Sequence, residues 1–561
     1  LLLREHGEEI PLMPKAFDTL DYLVAHSGKV VEKDELMSAV WQDRIVEENN
    51  LAQNISALRR ALGEKHRENR FIATIPGRGY KFVAKVQQLP SQEIIRSLAV
   101  LPFKAITASS RDEALEMGMA DTLILKLGGE HLKVPPIAAV RRFASPEQDP
   151  ADAGRHLGAQ TVLDGGIQIV AGRIRVSARL IRVSDGRQMW AGQFDEQLRD
   201  IFSIQDSISD KVSAALRISL RNGNQNRKTY TTNVHAYQLY MKGNLHARRL
   251  TRADVAKGIS YYEQAIAADP NYALAYVELA NAYRAMVLTN DAKPAETMPK
   301  AKAAAKRAME LDDTLAEAWT ALGISDFWYD WDWQASEMHY MKALQLDPYS
   351  GLVHAFYAHL LSNTGRHEDA VAEIKRAREL DPLNLVTNAM EGQILFFAGR
   401  TDEAEKVLRA TMDMDPDFWL THLFMTRIYL KKEMFAEALE SAAKAKQLTG
   451  GNGESIGTLG YAAAKFGKRH RAHRALKELE ARAGKGFVPA YAIAQIQLAL
   501  GDRTKAMNLL EKAFEQREPL MVFIKVEPKW DALRSEPRFL QIMKRMKFDS
   551  TGTSDQCRTS E

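Results

Sequence analysis

One cysteine, Cys557, stands in 561 residues, and it falls in a polar stretch near the end of the chain. A single thiol makes no intramolecular disulfide and no thiolate cage for a metal, which suits a reducing compartment such as the bacterial cytoplasm. Long apolar runs are missing as well. None approaches the roughly eighteen residues that a membrane-crossing helix needs, and no basic start leads into an apolar export segment. Neither charge dominates, since 76 Lys and Arg oppose 72 Asp and Glu and leave a net +4. That balance excludes general coating of nucleic acid and adsorption to a membrane surface. Motifs of common active sites are absent too, with no GxxxxGK[ST] phosphate loop, no HExxH, no GxSxG and no cysteine cluster. The sequence therefore nominates no catalytic residue, no metal and no cofactor, and reads as a non-enzyme.

What is present is ordinary soluble composition, 45% hydrophobic and 26% charged, at a length that suggests three or four domain-sized units. The most specific stretch is 33 to 86. Lys33 to Trp41 reads as a helix with Leu36 and Val40 on one face and Asp34 and Glu35 near its start, where the macrodipole favours them. After a turn at 42 to 46, a second helix runs to about Gly63 with Leu51, Ile55, Leu58 and Leu62 as its apolar stripe. Asn49, Gln53, Ser56, Ala57 and Arg60 fall on the opposite side, a small, amide-bearing and partly basic face of the kind a groove-reading helix needs. The run FIATIPGRGYKFVAKV then reads as a hairpin with Arg78 at its tip. Arg59, Arg60, Lys65, Arg67, Arg70, Arg78, Lys81 and Lys85 outnumber Glu64 and Glu68 in this segment. A local basic patch is the footprint of phosphate contacts, and it favours DNA binding over a small α/β domain that merely ends in a basic hairpin.

Together, IVEENNLAQNISALRRALG and the hairpin resemble the OmpR-type winged helix, in which the second helix enters the major groove and the wing reaches a minor groove. Carried over by position, the resemblance puts base reading on Gln53, Ser56, Ala57 and Arg60, and wing contacts on Thr74 and Arg78. Asn50, Asn54, Arg59 and Lys81 complete the expected DNA-binding set. By the same resemblance, the turn bearing Gln42, Asp43 and Arg44 sits where such proteins touch RNA polymerase. Relatives often carry arginine or histidine where this chain has Asn54, Ser56 and Ala57, so the target sequence does not transfer. The helix Pro14 to His26, with Phe17, Leu20 and Val24 facing inward, is expected beneath the reading helix. Before it, LLLREHGEEIPLMP supplies two short strands where OmpR-type domains have a longer sheet, so the chain reads as starting inside that domain.

Residues 87 to 95 read as a linker broken by Pro90. From 96 to 220 the pattern is α/β. SLAVLPF is a strand, Asp112 to Leu127 an amphipathic helix, and Ile174, Val176, Ala178 and Leu180 alternate with Arg175, Ser177 and Arg179. With GMADTL and LGAQTVLDGGIQIV, these elements resemble the TolB-amino-terminal-like domain. Asp164, Gly165 and Gly166 read as a β-bulge, with a ligand pocket as the alternative.

Between 230 and 549 a repeat governs the chain. Ala370, Ala404, Ala438, Ala472 and Ala506 follow one another at steps of 34 residues. Gly365, Gly399, Gly467 and Gly501 keep the period with one position skipped, and Asp347-Pro348, Asp381-Pro382 and Asp415-Pro416 keep it too. This is the tetratricopeptide period, and about eight helix pairs fit the segment. His359, Gln393, Arg427 and Tyr461 occupy equivalent first-helix positions, where they line a concave groove or form plain solvated surface. The dense FWYDWDW, Phe327 to Trp333, reads as core filling for a distorted pair, with a peptide-binding hot spot as the alternative. His470 and His473 sit among cations that would repel a metal and read as surface. SEPRFLQIMKRMKF reads as a capping helix and 550 to 561 as a disordered tail.

The expected fold is thus a winged helix-turn-helix, then a small α/β domain, then an all-α tetratricopeptide solenoid. Parts in this order resemble the HilA type of transcription activator and, without its membrane helix, the CadC type. The resemblance implies a promoter-binding activator whose partners are double-stranded DNA, RNA polymerase and a protein or peptide ligand of the repeats, without membrane contact and as a possible homo-oligomer on DNA. Two other readings stay open. One is a repeat adaptor whose winged helix binds protein, and the other is a signalling chain of the sort whose relatives carry cyclase heads.

Overall fold

The computed structural model describes residues 12–41, 48–65, 68–86, 95–107, 111–128, 132–145, 147–216, 231–247, 252–288, 292–483 and 487–548. The chain divides into two compact units, Leu1–Ile94 and Ile95–Glu561.

In the first unit α1 (Pro14–Ala25), β1 (Val30–Glu32), α2 (Lys33–Val40), α3 (Glu48–Ala61), β2 (Ile72–Ile75) and β3 (Gly79–Phe82) follow in order. The antiparallel sheet runs β1-β3-β2. Its core is Ala16, Leu20, Leu23, Leu36, Val40, Leu51, Ile55 and Leu58 packed on Val31, Ile72, Tyr80 and Phe82. The inward stripe of α1 is therefore Ala16, Leu20 and Leu23; Phe17 and Val24, expected to face the core, are only partly buried. Gly79 admits the central strand to its place, because a Cβ there would lie 2.0 Å from the Val31 carbonyl oxygen. The two expected N-terminal strands and the turn carrying Gln42, Asp43 and Arg44 lie outside the described residues.

The second unit opens with β4 (Leu98–Val100), β5 (Lys104–Ala105), α4 (Glu113–Leu127), α5 (Ile137–Val140) and α6 (Pro150–His156), then β6 (Thr161–Val170), β7 (Arg173–Arg182), β8 (Gln188–Gln197) and α7 (Ile201–Leu216). The sheet order is β4-β6-β7-β8, with β5 also on β6. Strands β4 and β5 run parallel to β6, while β6, β7 and β8 are antiparallel. The bulge expected at Asp164, Gly165 and Gly166 is not there. Those residues pair in regular register with Arg179, Ala178 and Ser177, and the irregularity falls between Leu180 and Ile181. Gly165 is explained by a close approach instead, since the Phe103 ring and the Ser177 carbonyl oxygen occupy the space its Cβ would need.

Eight helix pairs follow among the described residues: α8 (Val234–Ala247) with α9 (Arg252–Ala268), α10 (Ala273–Leu288) with α11 (Pro294–Leu311), α12 (Ala316–Ser325) with α13 (Trp333–Leu346), α14 (Gly351–Thr364) with α15 (His367–Leu380), α16 (Leu385–Phe397) with α17 (Thr401–Met414), α18 (Trp419–Lys431) with α19 (Phe435–Leu448), α20 (Gly453–Lys465) with α21 (Arg469–Ala483), and α22 (Ala490–Ala499) with α23 (Arg503–Glu515). Two 3₁₀ segments, Pro519–Phe523 and Pro528–Leu533, lead to α24 (Pro537–Arg545). All five period-marking alanines are fully buried. The four marker glycines take positive φ at the end of the first helix of their pairs, and at the skipped position Glu433 holds the same left-handed conformation, at φ 60°.

The α/β elements and the first repeat share one apolar cluster. Tyr237 of α8 reaches across to Thr122 (3.0 Å), Gln205 (2.9 Å) and the Gly118 carbonyl oxygen (3.3 Å). Residues 96–220 and 230–549, separable by composition, are thereby joined by a buried and hydrogen-bonded seam.

Candidate nucleic-acid interface

Helix α3 forms because its apolar residues recur at helical spacing while Glu48 sits in the first turn and Arg59 and Arg60 in the last, both favourable to the macrodipole. Burying Leu51, Ile55 and Leu58 turns Asn50, Gln53, Ser56 and Arg60 outward, and all four are exposed. Ala57 is half-buried on the edge of that face. Asn54 departs from its expected outward position, because its amide nitrogen is buried and without a hydrogen-bond partner.

Two side chains lock α3 to the wing. Arg59 donates to the Ile72 carbonyl oxygen at 2.7 Å and to the Thr74 hydroxyl at 2.9 Å, so this guanidinium and this hydroxyl, both placed in the DNA-binding set by sequence, hold each other. The buried Glu64 carboxylate accepts from the backbone N–H groups of Arg70 (2.8 Å), Phe71 (3.4 Å) and Ile72 (3.3 Å), stapling the end of α3 to the start of β2. Sequence reasoning counted Glu64 only as a charge, and nothing local marks it as a staple. Arg78 is exposed at the hairpin tip, where its N–H closes the turn on the Ile75 carbonyl oxygen at 3.1 Å. Lys81 is half-buried on β3. Among the described residues Arg60, Arg78 and Lys81 have no carboxylate partner, which leaves them free for an external anion.

The four repeat positions behave differently from either expectation. His359 and Gln393 are buried, and His359 and the mostly buried Arg427 meet the 3₁₀ segments that follow α23. Phe523 packs 5.5 Å from the His359 ring. The Arg427 guanidinium pairs with Glu527 at 3.2 Å within a cage of Phe397, Phe424 and Phe523. Lys529 lies 5.5 Å over Tyr461, which is half-buried, and Trp530 donates to the Tyr491 hydroxyl at 2.9 Å. Burial pushes the His359 imidazole down to about 3, and Arg427 nearby adds to this, so the ring is neutral at ordinary pH; neither ring nitrogen has a hydrogen-bond partner among the described residues. Burial also pushes the Glu527 carboxyl up, but Arg427 and Lys529 outweigh it and hold that carboxyl below its usual range. In this stretch of the solenoid the chain is its own occupant.

The aromatic run is core, as its bland reading held. Phe327, Trp328, Trp331 and Trp333 are buried, with a π-helical turn at Asp326–Asp330 accommodating them. Trp333 stacks on Phe548 at 4.7 Å and donates to the Met546 carbonyl oxygen at 2.8 Å. Among the described residues no group of His, Cys, Asp and Glu could hold a metal, and no helix is long and apolar enough to cross a membrane.

Comparison with known proteins places these geometries. The family described as "Transcriptional regulatory protein, C terminal" matches residues 7–82, and a tetratricopeptide repeat family matches 490–518. Transcriptional regulator HilA of Salmonella typhi is 25% identical over 385 residues, 67% of this chain and 67% of HilA. Transcriptional activator CadC of Escherichia coli is 36% identical over 85 residues, 15% of this chain and 17% of CadC. A putative adenylate cyclase 3 of Rhizobium meliloti is 27% identical over 199 residues, 34% of this chain and 33% of that protein.

Proposed function

We propose that this chain, which carries a transcriptional-regulator DNA-binding domain ahead of tetratricopeptide repeats and is similar to HilA and CadC, is a sequence-specific promoter-binding activator. The observation that carries the reading is the pairing of an exposed, polar outer face on α3 with an unpaired Arg78 at the wing tip, held in one frame by Arg59 and Glu64. In this mechanism α3 enters the major groove. Asn50, Gln53, Ser56 and Arg60 meet base edges and phosphates, with Ala57 as an apolar contact to a thymine methyl. Arg78 enters a narrow minor groove, where the negative potential of A·T-rich DNA is strongest. Arg59 and Thr74 act as positioning residues. The turn at Gln42, Asp43 and Arg44 is the proposed contact to RNA polymerase, and the α/β region and repeats receive the input from a protein partner. The chain works in the cytoplasm without a catalytic step of its own.

The test is sequencing of DNA bound in cells by the intact chain and by an Arg60→Ala, Arg78→Ala variant. Discrete sites lost in the variant support the reading. No enrichment over the variant, with both proteins folded, would instead favour a repeat adaptor whose winged helix binds protein.

A further inference from the structure

The repeats provide their own control for what a helix pair needs. The first turn of α15 carries Glu368 and Asp369, that of α17 carries Asp402 and Glu403, and that of α19 carries Glu437. Each places carboxylates at the positive end of a helix, as electrostatics favours. At steps of 34 residues, Asp369, Glu403 and Glu437 are followed by Arg471 in α21 and Lys505 in α23, and neither of those first turns holds an acid. The charge is inverted where the fold prefers the opposite sign, and the inversion recurs in two neighbouring pairs. In α21 no acid offsets the inversion and in α23 only the N-cap Asp502 does, and such a local departure marks a surface kept for something else.

The surroundings point the same way. From Lys465 to Lys477 there are six Lys and Arg and no Asp or Glu. Lys468, Arg469, His470, Arg471, His473, Arg474 and Lys477 are exposed, as are Arg503 and Lys505 on the next pair. Among the described residues Arg471, Arg474, Lys477, Arg503 and Lys505 have no side-chain partner. Asp502, the one carboxylate in the second row, is engaged in capping the Lys505 N–H at 2.9 Å. Along α21 the cations stand about one turn, or roughly 5 Å, apart, and Arg469 donates to the Leu500 carbonyl oxygen at 3.3 Å, just before the second row begins. The field is a two-dimensional array of charge with hardly any exposed apolar side chain. A membrane surface would need an apolar face to insert, and a protein hot spot would need aromatic anchors. Phe466, the large apolar side chain nearest the array, is half-buried and stacked on Phe435. A sequence-independent run of phosphates asks only for cations at this spacing.

We propose that the N-terminal ends of α21 and α23 form a second DNA site, which grips the phosphate backbone of duplex DNA through Arg471, Arg474, Lys477, Arg503 and Lys505. The proposal rests on the promoter-binding reading, which supplies the duplex. A second grip of this kind raises overall affinity without adding base specificity, because the first binding event holds the duplex at high local concentration.

The experiment uses the full chain and a scrambled duplex of about 60 base pairs, with affinity measured across a series of salt concentrations. The variant Arg471→Glu, Lys505→Glu restores the acid that the sister helices carry, so its fold should be unharmed. Expected is a loss of about tenfold in affinity near 0.1 M salt and a slope of log affinity against log salt lower by roughly two, at about 0.9 per phosphate released. Reversing a paired surface cation, Arg376→Glu, should change neither quantity. Unchanged affinity and slope in the Arg471→Glu, Lys505→Glu chain overturns the second site. Such a result leaves the winged-helix reading intact, because that reading is judged separately by whether Arg60→Ala, Arg78→Ala loses site selectivity.

Discussion

Replacing Glu527 by glutamine removes one carboxylate and asks what seats residues 519–533 in the solenoid. Glu527 lies 3.2 Å from Arg427 and 3.5 Å from Lys529, and all three side chains are at most 11% exposed. Deleting the charge takes the nearest anion from two buried cations and leaves only Glu454, whose carboxyl burial pushes up, to face them, a class of change that costs about 3–5 kcal/mol. The phenylalanine cage around Arg427 returns about 1 kcal/mol of that through its ring faces. The expected net loss is about 3 kcal/mol. Urea unfolding followed by tryptophan fluorescence reads it directly, since Trp530 in this segment is fully buried and bonded to Tyr491. The effect should depend on pH with a definite sign. Because the folded carboxyl is held below the ordinary glutamate value of 4.5, its contribution is present above that pH and fades as acid titrates it. Wild type and Glu527→Gln should therefore converge on acidification. Adding Glu454→Gln to the apolar variant Arg427→Met, Glu527→Leu, Lys529→Met removes all four facing charges together, and that variant should unfold within about 1 kcal/mol of wild type. If Glu527→Gln unfolds at the wild-type urea concentration at neutral pH, the carboxylate is not what holds the segment and the reasoning fails.

Arg59→Met should lower the stability of the first unit by about 1.5–3 kcal/mol, the worth of hydrogen bonds from a charged group, whereas Arg60→Ala should leave its melting temperature unchanged and cut DNA affinity; equal melting shifts would contradict the division of labour between the two. Arg78→Ala should weaken DNA binding and lower the salt slope by about 0.9, and an unchanged slope would remove Arg78 from phosphate contact. Burial pushes Glu518 up to about 7 from 4.5, against the pull of the Ala490 and Tyr491 N–H groups it accepts from. A raised folded value gives stability that is full below the unfolded value and lost as pH rises through about 7, so unfolding titrations should show on the order of 3 kcal/mol lost by pH 8 or so that Glu518→Gln abolishes. Glu433→Gly should relieve a left-handed non-glycine at a repeat-end position, a conformation that Trp331 shares at the same register, and gain about 0.5–1 kcal/mol in thermal unfolding.

What the sequence made legible was whatever is local or periodic. The stripe Leu51, Ile55 and Leu58 fixes which side of α3 is outward, and the 34-residue step places each buried alanine. What stayed hidden depends on chain returning from a distance. Arg59 looks like one more cation in LRRAL until β2 brings Ile72 and Thr74 within its reach. Glu64 looks like a solvated acid until three N–H groups converge on it. On α1 the spacing of Phe17, Leu20 and Val24 is as helical as that of Ala16, Leu20 and Leu23, so the phase of the stripe is set only by what packs against it. His359 and Arg427 could not be read correctly at all, because their partners Phe523 and Glu527 lie a hundred or more residues further along and carry no repeat signature.

The closed face bears on the proposed input through the repeats. A tetratricopeptide stack is expected to offer its concave face to a ligand, but at His359, Gln393 and Arg427 the face is closed by several large apolar side chains, among them Met521, Val522, Phe523, Ile524 and Trp530, all nearly or fully buried. Each such side chain contributes about 1.5–3 kcal/mol when it leaves water, so a peptide would have to replace more than it could supply. Input at those positions is therefore disfavoured, and the exposed helix ends and outer faces of the repeats become the surfaces on which a partner or a polyanion can act. At the other end the Tyr237 seam ties the first repeat to α4 and α7 through buried hydrogen bonds. A load placed on the solenoid is carried by packed side chains into the α/β sheet, which makes the pair one mechanical element rather than two receivers.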